Sequence, residues 1–161
     1  MTDHREFKVN AVLAGGGIGP DNAKIFEDIV RKAGGSEGNI GIVVVNSYPW
    51  SWDLDVCLAD GLEDEEAMAC ADNYGWRFGN SKINIEYYGR ILKDLGIGQY
   101  TGIYLDPTIR EENSNPLLID AVNSCTGFFF TGGDQSRGIF ALRDDKGKAS
   151  PVLQAIQKKV Q

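Results

Sequence analysis

The sequence predicts an α/β fold built on a parallel sheet, and two observations carry that reading. Short apolar runs alternate with segments of helical period four times along the chain, which is the pattern of strands joined by helical crossovers. The run Ile40 to Val45 is also rich in β-branched residues without alternation, as expected of a strand buried on both faces.

Each element follows from its local sequence. Val9 to Ala14 reads as a buried strand running into the turn Gly15-Gly16-Gly17. Pro20 and Asp21 look like a helix start with Asp21 as the N-cap, and Ile25, Phe26, Ile29, Val30 and Ala33 follow at helical spacing until Gly34-Gly35 ends the run. Ile40 to Val45 is the second strand. Residues 46 to 81 are too long for an ordinary connection and read as an insertion holding Trp50, Trp52 and Trp76. Its acidic run Glu63 to Glu66, with Asp53 and Asp55, fits no EF-hand and reads as a solvated loop. Ile83 to Leu95 is a helix stopped by Gly96, and Gly102 to Leu105 a third strand. Asn115-Pro116 opens a helix carrying Leu117, Leu118, Ala121 and Val122; Gly127 to Phe130 is a fourth strand. A helix with Ile139, Phe140 and Leu142 follows. Ser150-Pro151, an N-cap followed by proline, then starts a helix with Val152, Leu153, Ile156 and Val160. All of this reads as a single α/β domain over residues 1 to 161. By the rhythm of the chain another strand is expected next, without which the sheet is incomplete.

Composition narrows the function. A net charge of −7 argues against nucleic acid and against an anionic membrane surface as partners. No apolar run approaches the roughly 20 residues that span a bilayer. Met1 to Lys8 is polar and charged, unlike a signal peptide. The compartment stays open between cytoplasmic and secreted. Cys57, Cys70 and Cys125 read as free thiols, with a Cys57–Cys70 bridge as the alternative. The one histidine, His4, and the cysteine spacing fit no zinc site, and no metal or cofactor is expected.

Three glycine motifs differ in what they can do. The Gly15-Gly16-Gly17 turn lacks the dinucleotide spacing, since Pro20 or Asn22 stands where a third glycine belongs; it is either a tight turn or the lining of a cleft. Gly34-Gly35-Ser36-Glu37-Gly38 matches the letters of a nucleophile elbow, but it follows a helix and precedes a strand, on the wrong edge of the sheet. Gly132-Gly133-Asp134-Gln135 follows an apolar strand and precedes a helix. Backbone N–H groups there can face a ligand in the manner of an oxyanion hole, Gln135 can both donate and accept, and Arg137 can pair with a carboxylate. An ordinary strand-to-helix turn is the alternative.

The run Thr126 to Arg137 (TGFFFTGGDQSR) resembles the segment around the G-G-D-Q motif of the cyanophycinase family of serine peptidases, which includes cyanophycin-degrading enzymes and dipeptidases that release N-terminal aspartate. Leu13 to Gly17, Ile42 to Ser47 and Glu86 to Gly96 resemble further parts of that family in order and spacing. The resemblance implies a flavodoxin-like three-layer sandwich with a mostly parallel sheet, related to class I glutamine amidotransferases. It implies Gly133 and Asp134 as oxyanion-hole backbone, Gln135 in contact with substrate, and Gly16 and Gly17 lining the cleft. The family's serine elbow would follow a helix like Ser150 to Val160, and its histidine and acid lie further on; neither serine elbow nor catalytic histidine is in these residues.

Peptide hydrolysis by this mechanism needs a nucleophile and a base within hydrogen-bond reach. The expectation is therefore the N-terminal chain of a serine-type peptidase acting on peptide or isopeptide bonds, with serine and histidine on a second polypeptide or a C-terminal part, in a dimeric assembly. A non-catalytic peptide- or ligand-binding module and a regulatory subunit of the same fold are the alternatives. The Trp50 to Asn80 stretch is expected near the carboxyl edge of the sheet. There it either shapes the cleft, forms a dimer contact or packs on itself.

Overall fold

The computed structural model describes residues 18–45, 76–132 and 135–160. Within them the chain folds as three layers, with a three-stranded, wholly parallel sheet between helices. The strands are β1 (Asn39–Val44), β2 (Gln99–Tyr104) and β3 (Gly127–Phe130), in the order β2-β1-β3. The helices are α1 (Ala23–Lys32), α2 (Trp76–Asp94), α3 (Pro116–Ser124), α4 (Gln135–Leu142) and α5 (Pro151–Val160). Among the described residues this is the α/β parallel sheet that the alternation of the sequence predicts, and it is consistent with part of the flavodoxin-like sandwich that the resemblance implies. The Val9 to Ala14 strand, Gly16, Gly17, Cys57, Cys70 and most of the insertion lie outside the described residues.

The central strand explains the layering. Every residue of β1 is buried, and its side chains alternate between two cores as a pleated strand requires. Ile40, Ile42 and Val44 face α1 and α2 and pack with Phe26, Val30, Leu92 and Phe129. Val43 and Val45 face the other way and pack with Ile103, Leu105, Val122, Ala141, Val152 and Ile156 from β2, α3, α4 and α5. Register is parallel on both sides: Ile42 lies opposite Gly102 of β2 and Phe129 of β3. The β1-to-β2 crossover runs over the α2 face. The β2-to-β3 crossover runs back past β1 over the α3 face. Reversing both direction and face keeps one hand for the two connections, as the handedness rule for parallel crossovers demands.

Several boundaries move from the sequence reading. Asp21 does not cap α1. Pro20–Asn22 first wind a 3₁₀ turn, and Asn22 holds the N-cap position while its Oδ1 accepts from the Gly19 N–H at 3.1 Å. The insertion ends at residue 75, because α2 starts at Trp76; the apolar stripe that marks this helix begins only where it meets the sheet, at Ile85 and Tyr88. β2 starts three residues before Gly102, with Gln99, Tyr100 and Thr101 on the ladder despite their polarity. A 3₁₀ segment, Pro107–Ser114, precedes α3 and was not foreseen. Leu117, Ile139, Phe140 and Val160 are exposed, so the cores of α3, α4 and α5 rest on Val122, Ala141, Val152 and Ile156.

Helix ends agree with the sequence where a cap residue is present. Asn115 accepts the Leu117 N–H at 3.0 Å and Ser150 the Leu153 N–H at 3.2 Å, each just before a proline in the first helical position. Gly34, at φ 102, takes the left-handed turn that stops α1.

Candidate active-site edge and a neighbouring depression

Open α/β sheets bind ligands beyond the carboxyl ends of their strands, where neighbouring connections leave over opposite faces. β1 meets that condition on both sides: the next described helix after it, α2, packs on one face, whereas those after β2 and β3, namely α3, α4 and α5, pack on the other. At this edge the ladder continues one residue past each outer strand. The Leu105 N–H donates to Val44 O at 3.0 Å and the Thr131 N–H to Val43 O at 3.1 Å. Thr131 is buried; Gly132 beyond it is exposed.

Gly132 and Gln135 of the G-G-D-Q segment sit here, just past β3 and at the start of α4. Gln135 is the first residue of α4 and is exposed, free to face a ligand at the carboxyl edge. A methyl added to Gly132 would meet no described residue within 4 Å, so packing among the described residues does not require glycine at this position. Gly133 and Asp134, the expected oxyanion-hole residues, lie outside the described residues, as does the side chain of Arg137, whose backbone is in α4. Of the four residues expected around this motif, Gln135 is the one whose side chain the structure describes, at the first position of α4. Ser36 lies in a 3₁₀ turn leading into β1, at the opposite edge, consistent with its exclusion as a nucleophile.

One residue at this edge escaped the sequence reading. Asp106, just past β2, is buried, and the Tyr104 hydroxyl donates to its Oδ2 at 3.0 Å. Its carbonyl accepts the Ile109 N–H and so opens the 3₁₀ segment. The signal was available, as an acid directly before proline at the end of an apolar strand.

A second concave feature, a depression of about 430 Å³, lies between the 3₁₀ segment, the loop 143–149 and the first turn of α5. It lies toward the same end of the sheet. Lys159 at the far end of α5 donates to Asn123 O at 3.0 Å, so α5 runs parallel to α3, whose last turn leads into the start of β3. The loop is a closed hairpin. Arg143 and Ala149 form an antiparallel bridge, Gly147 takes φ 76, and Asp144 Oδ1 accepts the Lys146 and Lys148 N–H groups at 2.9 and 2.8 Å. Arg110 clamps it to the 3₁₀ segment by donating to Asp145 Oδ1 at 2.9 Å and to Arg143 O at 2.6 Å.

Among the described residues, no group of three His, Cys, Asp or Glu could hold a metal ion, and no helix is long and apolar enough to cross a membrane. The Cys125 thiol is free and buried; burial pushes its pKa up. No family model matches the chain.

Proposed function

We propose that this chain supplies the oxyanion-hole and substrate-binding part of a serine-type peptidase that hydrolyses peptide or isopeptide bonds. The serine and histidine would come from a second polypeptide or a C-terminal part of the same protein. The observation that supports this reading best is the position of Gly132 and Gln135. They lie just past a parallel strand and at the start of the following helix, at the carboxyl edge beside the central strand β1. Backbone N–H groups between a strand and a helix are of the kind that stabilise the negative charge developing on a scissile carbonyl. The resemblance of Thr126 to Arg137 to the cyanophycinase G-G-D-Q segment points the same way.

In this reading the Gly133 and Asp134 amides hold the oxyanion, Gln135 binds the substrate amide or carboxylate, and Arg137 pairs with a substrate carboxylate. The test is to treat the native assembly with a fluorophosphonate and map the label by peptide mass. Label on a serine outside these 161 residues, with parallel loss of hydrolysis of dipeptides bearing N-terminal aspartate, is the expected result. If no co-purifying polypeptide takes the reagent and no such dipeptide is cleaved, the peptidase reading falls, and a non-catalytic peptide-binding module of the same fold replaces it.

A further inference from the structure

We infer that the depression beside α5 is a binding site for the carboxyl end of a peptide, recognised by its carboxylate together with its last amide N–H. The inference rests on the polar inventory of this cavity and stands independently of the peptidase reading.

Asn113 is among the residues that line the depression and is 2 % exposed. Its Nδ2 donates to Ala141 O at 2.5 Å, while its Oδ1 takes no hydrogen bond from any described residue. A buried amide oxygen left without a donor costs on the order of 1–3 kcal/mol, so the site asks for an N–H. The cations answer a different group. Lys148 lines the rim, and its ammonium makes no hydrogen bond or ion pair with any described residue. Arg143 donates only to the Gly147 carbonyl, at 2.6 Å, and has no acidic partner among the described residues. The nearby acids are already engaged: Asp144 accepts two backbone N–H groups, and Asp145 pairs with Arg110. The first turn of α5, which also lines the depression through Ser150 and Gln154, adds positive partial charge.

A carboxylate alone leaves Asn113 Oδ1 unmet, and an amine alone leaves the cations unmet. A peptide C-terminus carries both groups one carbon apart. The walls need no rearrangement to accept it, because the hairpin is closed on itself and clamped by Arg110.

Isothermal titration of the native protein with N-acetylglycine, acetate and inorganic phosphate tests the inference. N-acetylglycine is expected to bind about tenfold more tightly than acetate, the difference that one well-made hydrogen bond gives. Asn113→Ala also removes the bond to Ala141 and can fail to fold, so the deciding variant is Lys148→Gln. Because Lys148 has no side-chain partner among the described residues, this variant should keep the thermal midpoint while weakening N-acetylglycine by about tenfold. Equal affinity for acetate and N-acetylglycine, preference for phosphate, absence of binding, or unchanged binding by Lys148→Gln would each overturn it. Hydrolysis is not read in this experiment, so its failure leaves the peptidase reading standing.

Discussion

Asn39 and Thr126 exchange two hydrogen bonds at the amino edge of the sheet. The Asn39 N–H donates to Thr126 Oγ1 at 2.9 Å, and the Thr126 N–H donates to Asn39 O at 2.7 Å. The pair ties four elements together. The Thr126 hydroxyl donates to Ala33 O at 2.6 Å just past α1, while Asn39 accepts from Thr101 of β2 at 3.0 Å and donates to Ser124 at the end of α3. Asn39 is a buried polar residue. Thr126→Val strands the Asn39 N–H and the buried Ala33 carbonyl and should cost about 1–3 kcal/mol. Asn39→Ala keeps both bonds to Thr126, which use its backbone, and loses those to the half-buried Thr101 and the exposed Ser124, so it should cost about 0.5–1.5 kcal/mol. Urea unfolding measures both; an Asn39→Ala cost equal to or above that of Thr126→Val would show that the Asn39 side chain, and not the Thr126 hydroxyl, holds this junction.

Gly89 makes the opposite kind of demand. A methyl placed there would come within 2.5–2.7 Å of the Tyr100 ring, where α2 crosses β2. In an exposed helix interior, Gly→Ala gains roughly 1 kcal/mol. Here overpacking should outweigh it and Gly89→Ala should lose about 1–3 kcal/mol net. In a Tyr100→Ala background the same substitution should become stabilising. A thermal-melt series that shows no change of sign would place the cost elsewhere.

How much of this was legible in the sequence depended on whether a single local signal decided the outcome. The unalternating run through Val43 and Val44 gave the central strand, because burial on both faces leaves no polar face to read. Asn115-Pro116 and Ser150-Pro151 gave two helix starts to the residue, because cap and proline chemistry are local. The start of α1 was misplaced because Asn22 turns its side chain back to Gly19, a choice that Asp21 beside it does not reveal. The first turns of α2 carry no apolar period and were read as loop. Ile139 and Phe140 mark the helix α4 as apolar residues, but whether an apolar residue there is covered depends on tertiary placement that spacing alone leaves open; both are exposed. The carboxyl-edge position of Gln135 was legible as the start of a helix after a strand; the strand order that makes that edge a binding position was not.

Gly132 and Gln135 separate a binding role from a merely structural one. A methyl on Gly132 meets no described residue within 4 Å and its φ is not positive, so Gly132→Ala should leave stability unchanged or raise it by about 0.4–1 kcal/mol through the unfolded chain. Gln135 is exposed, and its truncation to Ala should stay within about 0.5 kcal/mol of wild type. If the turn binds substrate as proposed, both variants should nevertheless weaken dipeptide hydrolysis by the native assembly, Gln135→Ala chiefly by raising KM. Unaltered kinetics in both would remove this turn from the site.

The Cys125 thiol makes stability depend on alkaline pH with a definite sign. It is fully buried, its Sγ–H donates to Ala121 O at 3.2 Å, and desolvation raises its pKa above the ordinary value of 9.0, outweighing the smaller lowering contributions from Ser124, Thr101 and Lys159. The folded chain thus holds this proton more tightly than the unfolded chain does. As pH rises, the unfolded chain releases its proton first and is the state favoured. The stability due to the neutral buried thiol is accordingly full below pH 9.0 and declines as pH rises through that value toward the higher folded-state pKa. Tyr88, raised by burial and by its neighbour Tyr87, adds a second decline of the same sign above its ordinary value of 10.0. Urea unfolding between pH 7 and pH 10, stepped at roughly half-unit intervals, should therefore show a falling free energy whose slope Cys125→Ala reduces. Any contribution from Cys57 and Cys70 is common to both proteins and drops out of the comparison. Parallel profiles for the two would mean that the folded state does not hold the Cys125 proton more tightly than the unfolded chain.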